Sequence, residues 1–257
     1  MCLIIFAHQQ HHRYPLLVAA NRDEHYQRET ANAGFWPQHQ QLLAGRDLVA
    51  GGTWLGITRG GRFAAITNHR NPPTTPDKPR SRGMLTLDFL SGTTRAEDYL
   101  QQLAMDAGSY AGFNLILGDG EELYYYSNLE HKVRCLPPGL YSLSNALLDT
   151  PWPKQTRGIS ELQSVLTQDF ISHDELSRAV SSAEVEPDDR LPETGVGLEL
   201  ERLLSAQFIV APDYGTRATS TLSIERSGII RFREQNYGHG GTRLQQRAFC
   251  INPTAGE

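Results

Sequence analysis

The first 24 residues, "MCLIIFAHQQHHRYPLLVAANRDE" (Met1–Glu24), decide how the rest of the chain is read. Two apolar runs, "CLIIFAH" and "YPLLVAAN", flank the polar "QQHHR", the pattern of a β-hairpin. Directly opposed residues in such a hairpin have numbers with a constant sum, here about 23 for a turn near His11 and His12. Cys2 is then expected opposite Asn21, and "NRDE" (Asn21 to Glu24) leaves the second strand beside the start of the first. Two readings of Cys2 stand: a small buried hydrophobe of a core strand, or a nucleophile that becomes the first residue once Met1 is removed.

Outward from this hairpin the chain alternates strands with helices. "TWLGIT" and "RFAAITN" form a second hairpin around Gly60-Gly61, a two-residue turn signal that sets a sum of about 121 and places Asn68 opposite Thr53. A proline-rich excursion, Asn68 to Gly83, runs into the amphipathic "MLTLDFLSG". "TTRAEDYLQQLAMD" reads as a helix that opens on a Thr94/Glu97 capping box. Four short strands follow ("GFNLILGD", "ELYYYSN", "HKVRCL", "LYSLSN"), and the consecutive tyrosines must alternate faces, so one is expected exposed. A helical middle from about Pro153 to Leu204 precedes the closing strands "AQFIVAP", "RATSTLSIER" and "IIRFREQNY". Few strand pairs are joined by a single helix, which disfavours a parallel sheet. Hairpins interleaved with helices suit an α+β fold of two stacked, mainly antiparallel sheets flanked by helices, an αββα sandwich. At 257 residues one domain, 1–257, accommodates this.

Composition narrows the function. A net charge of −5 offers no general surface for nucleic acid. Three cysteines, Cys2, Cys135 and Cys250, without paired spacing give neither a zinc motif nor a disulfide framework. No metal site is expected, and Cys135 and Cys250 read as structural. His8, His11 and His12 read as a solvated loop rather than a metal tract. No apolar run is long enough to span a membrane, and the N-terminal run lacks a basic flank, so a cytoplasmic location is expected.

With Met1 removed, Cys2 would carry a thiol beside a free α-amine of ordinary pKa about 7.7–8.0, a general base near neutral pH. Arg22 or Arg217 would favour the thiolate and Asp23 would orient the ammonium. Asn68 and Asn145, each ending an apolar strand run, suit stabilisation of an oxyanion. Asn21, Trp54 and Arg70 are the candidate substrate-binding residues beside them.

"MCLIIFAH", "LVAANRDE", "GGTWLGIT", "AAITNHR", "SRG", "GFNLILGD", "LSN", "PWPK" and "YGTRATST" together resemble the NRDE family, also called the transport and Golgi organization family, over nearly the whole chain. That family is similar in turn to the N-terminal-nucleophile hydrolases, among them the cysteine acylases that cleave penicillin V and bile-salt amides. The resemblance implies the αββα fold and a Cys2 nucleophile freed by loss of Met1. It carries the acylases' Arg and Asp onto Arg22 and Asp23, which are adjacent here where the acylases separate them by two residues. It carries the oxyanion Asn onto Asn145, an earlier Asn onto Asn68 and a late Arg onto Arg217. The expected function is a hydrolase or acyltransferase acting on a small amide or thioester, with no required cofactor. The alternative is a carrier on the same scaffold for haem, acyl lipid or acyl-coenzyme A, or a role in secretion and Golgi organization.

Overall fold

The computed structural model describes residues 2–70, 78 and 80–253. Most of the proline-rich excursion, residues 71–77 and 79, lies outside the described residues. One sheet has six strands in the order β10-β1-β2-β11-β12-β13. These are Gly139–Leu143 (β10), Cys2–His8 (β1), Leu16–His25 (β2), Tyr214–Ile224 (β11), Ile230–Tyr237 (β12) and Arg243–Ile251 (β13). The other has seven, in chain order: Thr30–Trp36 (β3), His39–Asp47 (β4), Leu55–Thr58 (β5), Phe63–Asn68 (β6), Phe113–Asp119 (β7), Glu122–Ser127 (β8) and Lys132–Cys135 (β9). Every strand pair in both sheets is antiparallel.

Alternation along the strands builds the layers. Ile4, Phe6, Leu16, Val18 and Ala20 of β1 and β2 meet Leu43, Ile57, Phe63, Ala65 and Ile116 of the facing sheet in one buried cluster. The intervening Leu3, Ile5, Leu17 and Ala19 point the other way, against Leu162 and Val165 of α3 (Pro153–Val165) and Leu176 of α4 (His173–Arg178). On the far side, Ala64, Ile66, Leu115 and Leu117 pack under α1 (Gly83–Ser91) and α2 (Ala96–Asp106). A fifth helix, α5 (Leu198–Ser205), follows a stretch without regular helix. The chain therefore has the expected two antiparallel sheets with helices on the outer faces.

Local expectations differ in informative ways. Cys2 pairs with Arg22, a sum of 24, because the first loop runs from Gln9 to Pro15 and closes through Gln9 N–H donating to Pro15 O at 2.8 Å. His11 is buried there, its Nδ1 accepting from Arg13 and Tyr14 N–H, so it organises the turn rather than lying in solvent. The second hairpin pairs Leu55 with Ala65, a sum of 120: Gly61 takes the left-handed φ of +84° at the end of a three-residue loop. The Thr94/Glu97 capping box does not form, because α2 begins after Arg95 and the Ala96 N–H is taken by Asp119 Oδ2 at 2.7 Å. Tyr124, Tyr125 and Tyr126 are all buried, since α2 covers one face of β8 and the opposite sheet the other. "AQFIVAP" makes only a bridge, Val210 to Gly215, because Gln207 and Phe208 N–H both donate to Ser182 O. Cys135 and Cys250 are exposed.

Candidate functional site

The strand ends that converge near Cys2 enclose a cavity of about 450 Å³ between the two sheets. Antiparallel pairing brings the start of β1, the end of β2, the start of β11 and the end of β12 to one wall, supplying Cys2, Arg22, Asp23, Arg217 and Glu234. The ends of β4 and β6, the segment before β5 and the start of α1 form the other, with Arg46, Trp54, Asn68 and Arg82. Gly52 and Gly83 let those two segments touch, since a Cβ at Gly52 would collide with the Gly83 carbonyl.

Cys2 and Arg22 are direct cross-strand partners on the inner face, which places their Cβ atoms about 4.5–5.5 Å apart. Cys2 is 8% exposed, and its carbonyl accepts from Ser144 Oγ at 3.0 Å. Burial pushes its thiol up to about 11; Asp23 and Glu24 add to the rise and Arg22 opposes it. At neutral pH the protonated thiol is therefore the favoured form. Arg22 makes a loose ion pair with Glu24 at 3.7 Å, and its Nη1 is buried with no hydrogen-bond partner among the described residues.

A bulge sets the position of Arg217. Thr216 pairs with Asp23 and Ala218 with Arg22, so Arg217 is the extra residue and its side chain reaches the cavity. Its Nη1 donates to the carbonyls of His25, Tyr26 and Arg28 at 2.8–3.1 Å. Asp23 is on the outer face of its strand, with Oδ1 accepting from Thr216 Oγ1 at 2.7 Å, and burial raises its carboxyl.

The remaining candidates separate from this group. Asn145 is fully buried and outside the cavity lining, and its Nδ2 donates to Asn68 O at 2.7 Å, so it holds the residue that does line it. Asn21 faces the helical layer: Nδ2 donates to Val180 O and Gln207 O at 2.7 and 2.8 Å, and Oδ1 accepts from Thr219 Oγ1 at 2.6 Å. Arg70 is buried elsewhere, paired with Glu201 at 2.5 Å and stacked over Trp152 at 4.5 Å. The structure thus gathers Cys2, Arg22, Asp23, Trp54, Asn68 and Arg217, and leaves Asn21, Arg70 and Asn145 off the cavity wall.

Several charged residues at the site escaped sequence reading, among them Arg28, Arg46, Asp47 and Lys78 of the lining, and two that are buried there, Glu234 and Lys154. Glu234 is buried on the inner face and bridges the sheets, its Oε1 accepting from Ala33 N–H at 2.7 Å and Asn236 Nδ2 at 3.0 Å. Its signal was present, because an acid continues the inward register of Ile230 and Phe232. Lys154, the last residue of "PWPK", is buried behind the wall with Nζ donating to Leu204 O at 2.9 Å. Burial lowers its ammonium to about 8, helped by Arg70 and opposed by Asp23 and Cys2. Nothing in the alternation marks it.

The model of the "Transport and Golgi organisation 2" family matches residues 1–239. The chain belongs to the transport and Golgi organisation 2 family. It is 34% identical to "Transport and Golgi organization protein 2 homolog" of Bos taurus over 257 residues, covering 92% of this chain and 93% of the relative. The Homo sapiens homolog is also 34% identical with the same coverage, and "Transport and Golgi organization protein 2" of Drosophila melanogaster is 28% identical over 271 residues, covering 91% and 92%. Among solved structures, this family member is similar to the C2A mutant of the conjugated bile acid hydrolase from Clostridium perfringens. The TM-score is 0.53 at 10% identity, over 97% of this chain and 92% of that one, a likeness of fold. No helix among the described residues is long and apolar enough to cross a membrane, and no group of three or more His, Cys, Asp or Glu among them could hold a metal ion.

Proposed function

We propose that this transport and Golgi organisation 2 family member is a cysteine N-terminal-nucleophile hydrolase or acyltransferase for a small amide or thioester. The observation that carries this is Cys2 at the cavity wall, opposite Arg22 and next to Asp23. The hydrolase with the similar fold gives the scaffold a precedent for the reaction class.

The chemistry depends on what precedes Cys2. While Met1 is attached, the Cys2 nitrogen is an amide and cannot act as a base. Its removal yields an amine that can take the thiol proton as Sγ attacks the substrate carbonyl. A C–S bond forms and the carbonyl π pair moves to oxygen. The tetrahedral oxyanion would be met by Asn68, with Arg22 balancing the charge. Collapse breaks the C–N or C–S bond to the leaving group, which takes the proton from the ammonium. Water, deprotonated by the same amine, then releases the acid from the acyl-cysteine, or an amine or thiol acceptor takes the acyl group. Asp23 holds the ammonium form in place.

Intact-mass analysis after expression with normal processing should show loss of Met1. Incubation with S-phenyl thioacetate should then give one acetyl adduct that maps to Cys2 and is absent from Cys2→Ala. Full retention of Met1, or adducts only at Cys135 and Cys250, refutes the reading. A second reading, a carrier for haem or an acyl thioester, is favoured by one observation: Cys2 is buried, which pushes its thiol up and favours the neutral form. Under it, haem or acyl-coenzyme A binds saturably and equally well to Cys2→Ala.

A further inference from the structure

The cavity carries a charge that acyl transfer at Cys2 does not require. Among the described residues, seven cationic and four acidic residues line it, an excess of three positive charges in a chain whose net charge is −5. Two of the acids, Asp23 and Glu234, are buried with raised carboxyl pKa values, which reduces their negative contribution further. Three of the cations, Arg46, Lys78 and Arg217, have no carboxylate within ion-pair distance among the described residues.

Position adds to the count. Arg46 lines the cavity, and its guanidinium is held over the Trp36 ring at 4.7 Å with Nε donating to Gly51 O at 3.3 Å, so stacking rather than an acid holds it. It stands on the seven-stranded sheet, whereas Cys2 and Arg217 stand on the six-stranded sheet. Concave walls of one sign concentrate counter-ions, and partly buried guanidinium groups bind carboxylate or phosphate oxygens more strongly than surface ones. A volume of about 450 Å³ falls within the usual range for small ligands.

We infer that the cavity binds an anionic ligand, one whose carboxylate or phosphate group sits between Arg46 of the seven-stranded sheet, with Lys78 of the segment between β6 and α1, and Arg217 of the six-stranded sheet. Resting on the acyl-transfer reading, this makes the substrate an amide or thioester that bears such a group away from the reacting carbonyl. The anion site itself requires no turnover.

Calorimetric titration at low ionic strength tests it, using glutarate, methyl phosphate and the neutral glutaramide as probes. At least one anion is expected to bind ten-fold or more tightly than glutaramide, and the stronger of the two identifies the group as carboxylate or phosphate. Affinity should fall at least five-fold in Arg46→Gln/Lys78→Gln and stay within two-fold in Arg95→Gln, which lies off the cavity. Should the double variant unfold, the wild-type affinity must still drop several-fold on raising salt from 20 to 200 mM, while that for glutaramide does not. Absence of anion binding, equal affinity for glutaramide, or indifference to the double variant overturns the inference. Cys2→Ala should bind the same anion unchanged; a Cys2→Ala that binds it and still turns over substrate defeats the nucleophile reading alone.

Discussion

Replacing Asn21 by Ala separates structure from chemistry in "NRDE". The side chain is wholly buried and satisfies two main-chain carbonyls, Val180 O and Gln207 O, and the Thr219 hydroxyl. These partners belong to the end of the α4 region, the segment after α5, and β11, so one amide ties three pieces to β2. Each bond contributes about 1 kcal/mol net, and partners left buried without replacement raise the cost, giving about 3–5 kcal/mol for Asn21→Ala. For a chain of this length about 2–4 °C of midpoint is lost per kcal/mol, so the expected drop is about 6–20 °C. Thermal unfolding followed by circular dichroism reads the shift. In the same variant, well below its midpoint, iodoacetamide should alkylate Cys2 at the wild-type rate, because Asn21 faces away from the cavity. A midpoint within 2 °C of wild type, or a changed Cys2 rate in the fully folded variant, would refute the assignment of Asn21 to packing.

Two further outcomes follow from buried charges. Glu234 has a carboxyl pKa raised by burial, so the folded state binds its proton more readily than the unfolded state. Its contribution is intact below the ordinary value of 4.5 and is lost as pH rises through the folded value. Glu234→Gln keeps an oxygen for Ala33 N–H and should be neutral or stabilising at pH 7, with a flatter stability profile above pH 4.5; strong destabilisation at pH 7 would contradict this. Lys154, lowered from 10.5 to about 8, works in the opposite sense. Below pH 8 its buried ammonium costs about 3 kcal/mol at most, relieved as pH climbs from 8 to 10.5. Denaturant titrations should therefore show wild type gaining stability over that window relative to Lys154→Met, and parallel curves would rule it out.

Much of the fold was legible because it rests on alternation. Ile4, Val18 and Ala20 facing inward, with Leu3, Ile5 and Leu17 facing outward, make β1 and β2 apolar on both sides. Only a sheet covered twice accepts such strands, hence the four layers. Register was legible to within one residue. Hairpin sums depend on loop length, and neither the His11-centred loop nor the three-residue Arg59–Gly61 loop shows its length in composition. That one residue decides the site, since it places Arg22 rather than Asn21 on the face of Cys2. Strands β3, β4 and β13 were missed: "TANAGFW" is rich in poor strand formers, and β13 is an edge strand exposed from Arg243 to Ala248, with only Phe249 and Ile251 packed against the core. Asn145 and Arg70 were named for their residue types, but their partners come from 77 and 131 positions away, at Asn68 and Glu201. No local pattern encodes such contacts.

β1 lies inside its sheet, between β10 and β2, rather than at an edge. β2 pairs with it from Cys2 and β10 from Ile4, which fixes this strand with Cys2 on the cavity wall. A peptide fused ahead of residue 2 joins the chain at that wall. An affinity tag placed there is tethered at the cavity, so the choice of which end to tag bears on every assay of the proposed site.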